Sequence, residues 1–445
     1  MAGNQMQEIG RLGQFRFGSG MGSGIFYEEF LRELHGRRGV EVYKEMADND
    51  SIIGASLFAI EMLMRQVEWT TKEAGTSAAD KAAAEFIYTC MHNMDDTWTD
   101  FISEVLSFLT FGWSYHEIVY KRRMGATNNP DTRSKHDDGR IGWRKLPLRS
   151  QDTLWEWQYD GDELQGMVQC APPNFGQVFI PIEKCLLFKT RSRKANPEGY
   201  SLLRRAYLEW YHKRRIQEIE GIGIERDLAG LPYIRIPEGT ELADESGKPT
   251  ELLHRAERIV QQVRRDEREG LVLPFGWEFE LVSSGGARQF DTNEIIQRMD
   301  RKIAMVFMTD FLLLGHEQVG SFALSTDKTA LFGVMMGAFL DMICEVFNNK
   351  AIPRLLQLNG DAFKGITAYP ELIHGDIETQ DLEKLGAFMK DMVSVGAIVP
   401  DENLEDYLRL AAELPEREAE TRYGDWPAGR PDGTPSPAEP SVGEV

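Results

Sequence analysis

The chain has 445 residues, 42% of them hydrophobic, so it can bury a substantial core split among about two to four modules. Its formal net charge of −21 argues against a protein that wraps nucleic acid tightly, because that affinity comes from cations replacing phosphate counterions, but does not exclude one that lets nucleic acid pass. The four cysteines, 90, 170, 185 and 344, form no CxxC pair and have no histidine at ligand spacing, so they are expected to be buried thiols.

Residues 1–24 end in GSGMGSG and are expected to be a flexible N-terminus. They lack the charged and apolar regions of a signal peptide, which points to the cytoplasm. The glycine spacing resembles a phosphate-binding loop, but no strand precedes it and no acid follows at the right distance. Helical periodicity then covers 25–34, 40–46 and 52–65, residues 67–74 alternate as a strand, and helices are predicted over 78–94 and 97–111. Short strands follow at 113–121, 141–148, 153–159, 164–170, 178–180 and 185–190, with 122–139 as an exposed hairpin loop. Strands beside helices in this order predict an α+β fold.

From Asn196 a turn opens a helix of about 25 residues, long for a globular protein. Residues 231–284 read as an inserted β-α-β-β module. Residues 290–352 form a helix, an exposed loop and a second helix. In the first, Ile295, Met299, Ile303 and Val306 make one apolar stripe, opposite Glu294, Arg298, Arg301 and Lys302, with Asp291 or Thr292 as N-cap. The second has Ser325 or Thr326 as cap and Pro353 as its stop, and is apolar almost all round between Leu331 and Phe347. Such a helix either spans a membrane or lies among other helices or subunits; Asp341 and Glu345 argue against the span. Gly333 and Gly337 predict a bend or a close helix contact there. A few irregular residues follow Ile352, then helices over 382–393 and 403–412, and a Pro-, Gly- and acid-rich tail expected to be disordered.

No catalytic constellation emerges. GHEQVGS (315–321) has the glycine spacing of a Walker A loop with Ser321 in place of the lysine, and HEQVG lacks the second histidine of a zincin. GYSLL (199–203) lacks the closing glycine of a nucleophile elbow. His116 beside Glu117 reads as a structural histidine, and Asp95/Asp96 and Asp137/Asp138 as solvated or capping loop acids. No cofactor or metal is expected.

The order of modules resembles the portal proteins of tailed bacteriophages. The likeness is carried by ADNDSIIGASLFAIEMLMRQVEW, DFISEVLSFLTFGWSYHEIVYK, EGYSLLRRAYLEWYHKRR, GLVLPFGWEFELV and the helix, loop and helix at 290–352. It implies an α+β wing (25–195), a first stem helix (196–228), a clip (229–288), a second stem helix (289–313), a tunnel loop (314–327), a long kinked helix returning to the wing (328–380), a small helical crown (381–413) and a disordered tail (414–445). It further implies a dodecameric homo-oligomeric ring in the virion, assembled in the host cytoplasm, with double-stranded DNA passing through its channel. The same resemblance implies terminase large subunit at the clip, major capsid and scaffolding proteins at the wing, and head-completion or tail adaptor proteins at clip and stem.

Two groups of residues are candidates for the channel. By position, the resemblance assigns His316, Glu317, Gln318, Val319, Gly320, Ser321, Phe322, Ala323 and Leu324 to the tunnel loop, with Lys328 beside it. On the first stem helix Arg204, Arg205, Lys213, Arg214 and Arg215 are candidates for DNA or intersubunit contact. The acidic balance suits a conduit that repels phosphates and lets DNA slide. The competing readings are a different structural head protein, a metal-dependent DNA-processing hydrolase using Asp95, Asp96 and Glu117, and a membrane channel built on 329–347.

Overall fold

The computed structural model describes residues 28–229 continuously, together with 12–14, 16–17, 23–26, 231–237, 239–240, 249–262, 273, 276–282, 291–310 and 322–375. The expected helices at 382–393 and 403–412 and the tail lie outside the described residues.

Along the chain, β1 (Arg16–Phe17) and β2 (Ser23–Phe26) precede α1 (Gly36–Asn49), α2 (Ser51–Gln66), β3 (Trp69–Lys72), α3 (Ala78–Met91), α4 (Trp98–Val105) and α5 (Ser107–Phe111). Seven strands follow: β4 (Trp113–Glu117), β5 (Val119–Met124), β6 (Asp137–Lys145), β7 (Leu154–Asp160), β8 (Glu163–Cys170), β9 (Gln177–Pro181) and β10 (Cys185–Lys189). Then come α6 (Tyr207–Ala229), β11 (Leu231–Arg235), α7 (Glu251–Gln262), β12 (Glu278–Val282), α8 (Thr292–Val306), α9 (Phe322–Val346), α10 (Ile352–Leu358) and β13 (Glu371–His374). The α+β expectation holds.

The N-terminal expectation needs correction. Residues 25–34 are not one helix: Ile25 and Phe26 end β2, which pairs antiparallel with β7 in the sheet β1-β2-β7-β8-β9, and helical structure among the described residues of this stretch is confined to a 3-10 turn at Arg32–Leu34. A hydrophobic stripe cannot distinguish a short helix from a strand whose partner lies over a hundred residues away. The predicted helix at 97–111 is two helices, ended by Gly112 at φ +91°. A Cβ there would sit 2.5 Å from the carbonyl oxygen of Glu198, so glycine is required by close approach as well as by conformation.

The loop between β5 and β6 is more than an exposed excursion. Asn93 donates to the buried Ser134 hydroxyl at 2.8 Å and accepts from the Lys135 amide at 2.9 Å, folding the loop back onto α3. Cys90, Cys185 and Cys344 are buried as expected, whereas Cys170 is only partly so.

Two cores result. The smaller lies behind the five-stranded sheet around Trp113, Tyr115, Trp157, Tyr159, Met167 and Ile180. The larger gathers α1–α5, β10 and the C-terminal part of α9, with the Phe347 ring 5.1 Å from Trp98, 5.7 Å from Phe101 and 5.8 Å from Trp143.

Pro353 does not stop the long helix. A π-helical turn over Phe347–Ala351 shifts the hydrogen-bond register, so that the Ile352 amide bonds to Phe347 O and Pro353 enters at the start of α10, where its missing N–H costs little. Nor is the chain beyond it irregular throughout. β13 pairs antiparallel with β3, with Leu372 opposite Thr71, and Asn348 from the π turn clamps Leu372 through both its amide and its carbonyl. The start of α9 also differs: the helix already includes Phe322, because Phe-Ala-Leu favour helix ahead of the Ser325/Thr326 cap signal.

Candidate functional site

The candidate surface is built on α6 and α8, the expected stem helices. They run antiparallel: Lys302 faces Glu209 at 3.6 Å, Asp300 faces Lys213 at 2.6 Å, and Thr292 donates to Glu220. The inner face of α6 carries Tyr207, Trp210 and Lys213, a spacing of three that places all of them toward the protein.

Lys213 is the hub of this joint. Its side chain is 4% exposed, and its ammonium lies 2.8 Å from Asp50 Oδ2 and 2.6 Å from Asp300 Oδ1. Asp50 also caps α2, accepting from the Ile52 and Ile53 amides at 3.0 and 3.1 Å. Burial by itself would lower the lysine's pKa, but hydrogen bonds and charge from the two carboxylates outweigh it and hold the ammonium above its ordinary value. One cation therefore ties both long helices to α2.

The other basic candidates divide. Arg204 forms a bidentate pair with Glu29 at 2.7 and 2.6 Å, which overcomes partial desolvation and holds the Glu29 carboxyl below its ordinary range. Arg214 pairs with Glu45, lies 3.3 Å from Glu218 and stacks over Trp210. Arg205 and Arg215 are exposed. Lys213 is thus buried and paired within its own subunit. Its spacing from Trp210 was the available signal. Of the tunnel-loop candidates, His316–Ser321 lie outside the described residues; the backbone of Phe322, Ala323, Leu324 and Lys328 belongs to the first turns of α9.

α6 has a second apolar face. Leu208 is 51% exposed, Ile219 66% and Ile222 50%; Leu208 and Tyr211 lie three apart, as do Ile219 and Ile222, and the two pairs share one side of the helix, away from the buried side, with Arg215 between them. α9 is likewise divided. Phe332, Met336, Leu340 and Ile343 are buried in the body of the same chain, so on this side the helix lies among other helices of its own subunit. Leu331 (56% exposed), Val334 (70%) and Ala338 line the open side, continued by Asp341 and Glu345. Over Leu331–Leu358 the helix is long and apolar enough to cross a membrane, but its inner face is part of the aromatic core.

The acids proposed for hydrolysis are engaged separately. Asp95 pairs with Arg144 at 2.9 Å and lies 3.7 Å from Lys121, while Glu117 pairs with Arg149. Asp138 binds Arg123 at 2.9 Å, a firmer contact than the solvated role expected of it. Among the described residues no three His, Cys, Asp or Glu side chains gather closely enough to hold a metal ion. His116 is structural: it is fully buried between Phe101 and Phe188, and its Nδ1 bonds Leu146 O at 2.9 Å. Desolvation pushes its pKa down to about 4, so the ring stays neutral.

A group without a sequence signal is Glu198, in the turn before α6. Its carboxylate accepts a 3.1 Å bond from the Trp157 indole, and desolvation pushes its pKa up to about 7.

A match to a family model covers residues 40–424 of the chain. The class is that of the bacteriophage portal proteins, structural proteins rather than enzymes. The chain belongs to the family described as the portal protein of Mu bacteriophage. The chain is also similar to one in the virion of a native gene transfer agent particle, at 13% identity and a TM-score of 0.48, covering 87% of this chain and 95% of that one. It is similar to one from the neck of the native gene transfer agent particle computed with C12 symmetry (12% identity, TM-score 0.44, coverage 85% and 94%). A third likeness is to the crystal structure of an HK97 family phage portal protein from Corynebacterium diphtheriae (13% identity, TM-score 0.37, coverage 72% and 91%).

Proposed function

We propose that copies of this chain close into a ring at one vertex of a viral head and form the channel through which double-stranded DNA enters and leaves. The observation that carries this reading is the pair of open apolar faces on α6 and α9. A stripe of Leu208, Tyr211, Ile219 and Ile222 in water is a standing cost that identical neighbours on either side of each subunit would remove. In a twelvefold ring, stem helices spaced about 9–10 Å apart give an axis-to-axis diameter of roughly 35 Å. Subtracting about 5 Å of helix radius on each side leaves a lumen of about 25 Å, which admits a B-form duplex.

In this reading residues 316–324 and Lys328 line the channel, and Val319, Ser321, Phe322 and Leu324 form its narrowest part, where small and apolar groups hold phosphates weakly. Arg205 and Arg215 are the exposed stem cations for DNA or neighbour contact. The two-stranded β11–β12 ribbon with α7 is the clip, where the packaging terminase and later the head-completion or tail adaptor proteins dock. The wing meets capsid and scaffolding proteins. The chain works as a virion structural protein and leaves ATP hydrolysis to the separate motor.

The test is solution mass together with electron microscopy of the wild-type chain and the Ile219→Glu, Ile222→Glu double variant. Wild type should form rings of about a dozen copies, and the variant folded monomers with unchanged circular dichroism, since exposed substitutions cost a subunit no more than about 0.5 kcal/mol. A wild-type chain that stays monomeric even with its scaffold would overturn the ring.

A further inference from the structure

The end of α8 is stopped without the residue that normally stops a helix. Phe307 follows the last helical residue, Met308 has φ +57°, and the amides of Met308 and Thr309 bond back to Met305 O at 3.2 Å and Ala304 O at 3.0 Å. These are the two bonds of a Schellman turn, whose left-handed position is usually glycine. A methionine there is strained, because its Cβ crowds the following carbonyl.

Something else holds the turn. The Phe307 side chain is fully buried, and the Thr309 hydroxyl lies 2.8 Å from the Ser56 hydroxyl in the middle of α2. Thr309 also has Ala304 O within 3.3 Å as an acceptor, an arrangement in which Ser56 donates to Thr309. Ser56 also has a second option, since a helical serine can donate to the carbonyl four residues earlier, here that of Ile52. The bond can therefore break without stranding the Ser56 proton.

We propose that residues 304–310 form a sprung latch: the Ser56–Thr309 bond keeps Met308 in its strained left-handed state, and loss of that bond lets Met308 relax and frees the end of α8. Because Asp50 caps α2, the same helix grips α6 near its start and α8 at mid-length through Lys213, and α8 again at its end. The consequence rests on the channel reading above: the latch is the joint through which α2 sets the direction in which the chain leaves the second stem helix. A device built on glycine would have no spring; one built on methionine returns energy when released.

Hydrogen exchange on the full-length protein tests it. Thr309→Val keeps the shape and removes the hydroxyl, and should speed exchange of the Phe307, Met308 and Thr309 amides roughly tenfold while the amides around Lys213 are unchanged. Adding Met308→Gly should restore most of the protection, because glycine adopts the turn without strain. Unchanged exchange in Thr309→Val would overturn the latch, as would acceleration spread evenly over α2 and α8 or a failure of Met308→Gly to restore protection. Solution mass measured in parallel separates this result from the ring: monomeric wild type would count against the ring, while the exchange pattern within the subunit still decides the latch.

Discussion

The α+β body and the pair of long helices are held by opposite means. In the body, interlocked rings do the work: Phe347 touches rings from α4, β6 and β10, and Trp157 is wholly buried between the sheet and Trp113. Between α6 and α8 the decisive group is one buried ammonium shared by two carboxylates, while a row of aliphatic side chains stays in water. A ring cluster gains from area and needs no neighbour. A buried ion pair fixes position more than it adds stability, because desolvation offsets most of its Coulombic gain. The body is built to stand alone, and the helix pair is built to be placed and then covered.

Substitutions in each region would sharpen or break that contrast. Phe347→Ala opens a cavity where four aromatic side chains meet and should cost about 3–5 kcal/mol in denaturant unfolding. A loss under about 1 kcal/mol would mean the body is not the self-sufficient half. Lys213→Met leaves Asp50 and Asp300 facing each other without a cation and should cost about 3 kcal/mol, partly recovered by adding Asp300→Asn. A neutral Lys213→Met would show that apolar contacts alone position the helices.

The smallest effect is pH-dependent and sits at the boundary between the two regions. With its folded pKa raised to about 7 from 4.5, Glu198 keeps a proton in the folded chain that the unfolded chain has lost. Its contribution is fully present below pH 4.5, declines as pH rises through that window, and is gone above about pH 7. Glu198→Gln, which retains an acceptor for Trp157, should remove this slope and be more stable than wild type at pH 8 by roughly 1–2 kcal/mol. Parallel melting curves from pH 5 to 8 would show the two profiles diverging with pH; identical slopes would place the carboxyl in solvent.

Local pattern alone determined a good deal. Period-two alternation located β6–β10 to within a few residues, the stripe Ile295–Met299–Ile303 located α8, and the Asp291 cap is made as expected, to the amides of Asn293 and Glu294. The order of those elements was enough to suggest a portal protein. Long-range pairing was not legible: β2 and β13 are short and take their conformation from β7 and β3, partners remote in sequence. Nor could spacing say that Pro353 would be absorbed by a π turn, or that α8 would end on a methionine, since both depend on what packs against the backbone. Spacing from Trp210 hints that Lys213 is on the inner face, but that Arg204 and Arg205 fall in a 3-10 turn ahead of α6, and which carboxylates Lys213 meets, was decided by the tertiary structure. The physical reason is general: periodicity reports which side of an element is apolar, while the partner across from each charge is set by segments that meet only when the chain has folded.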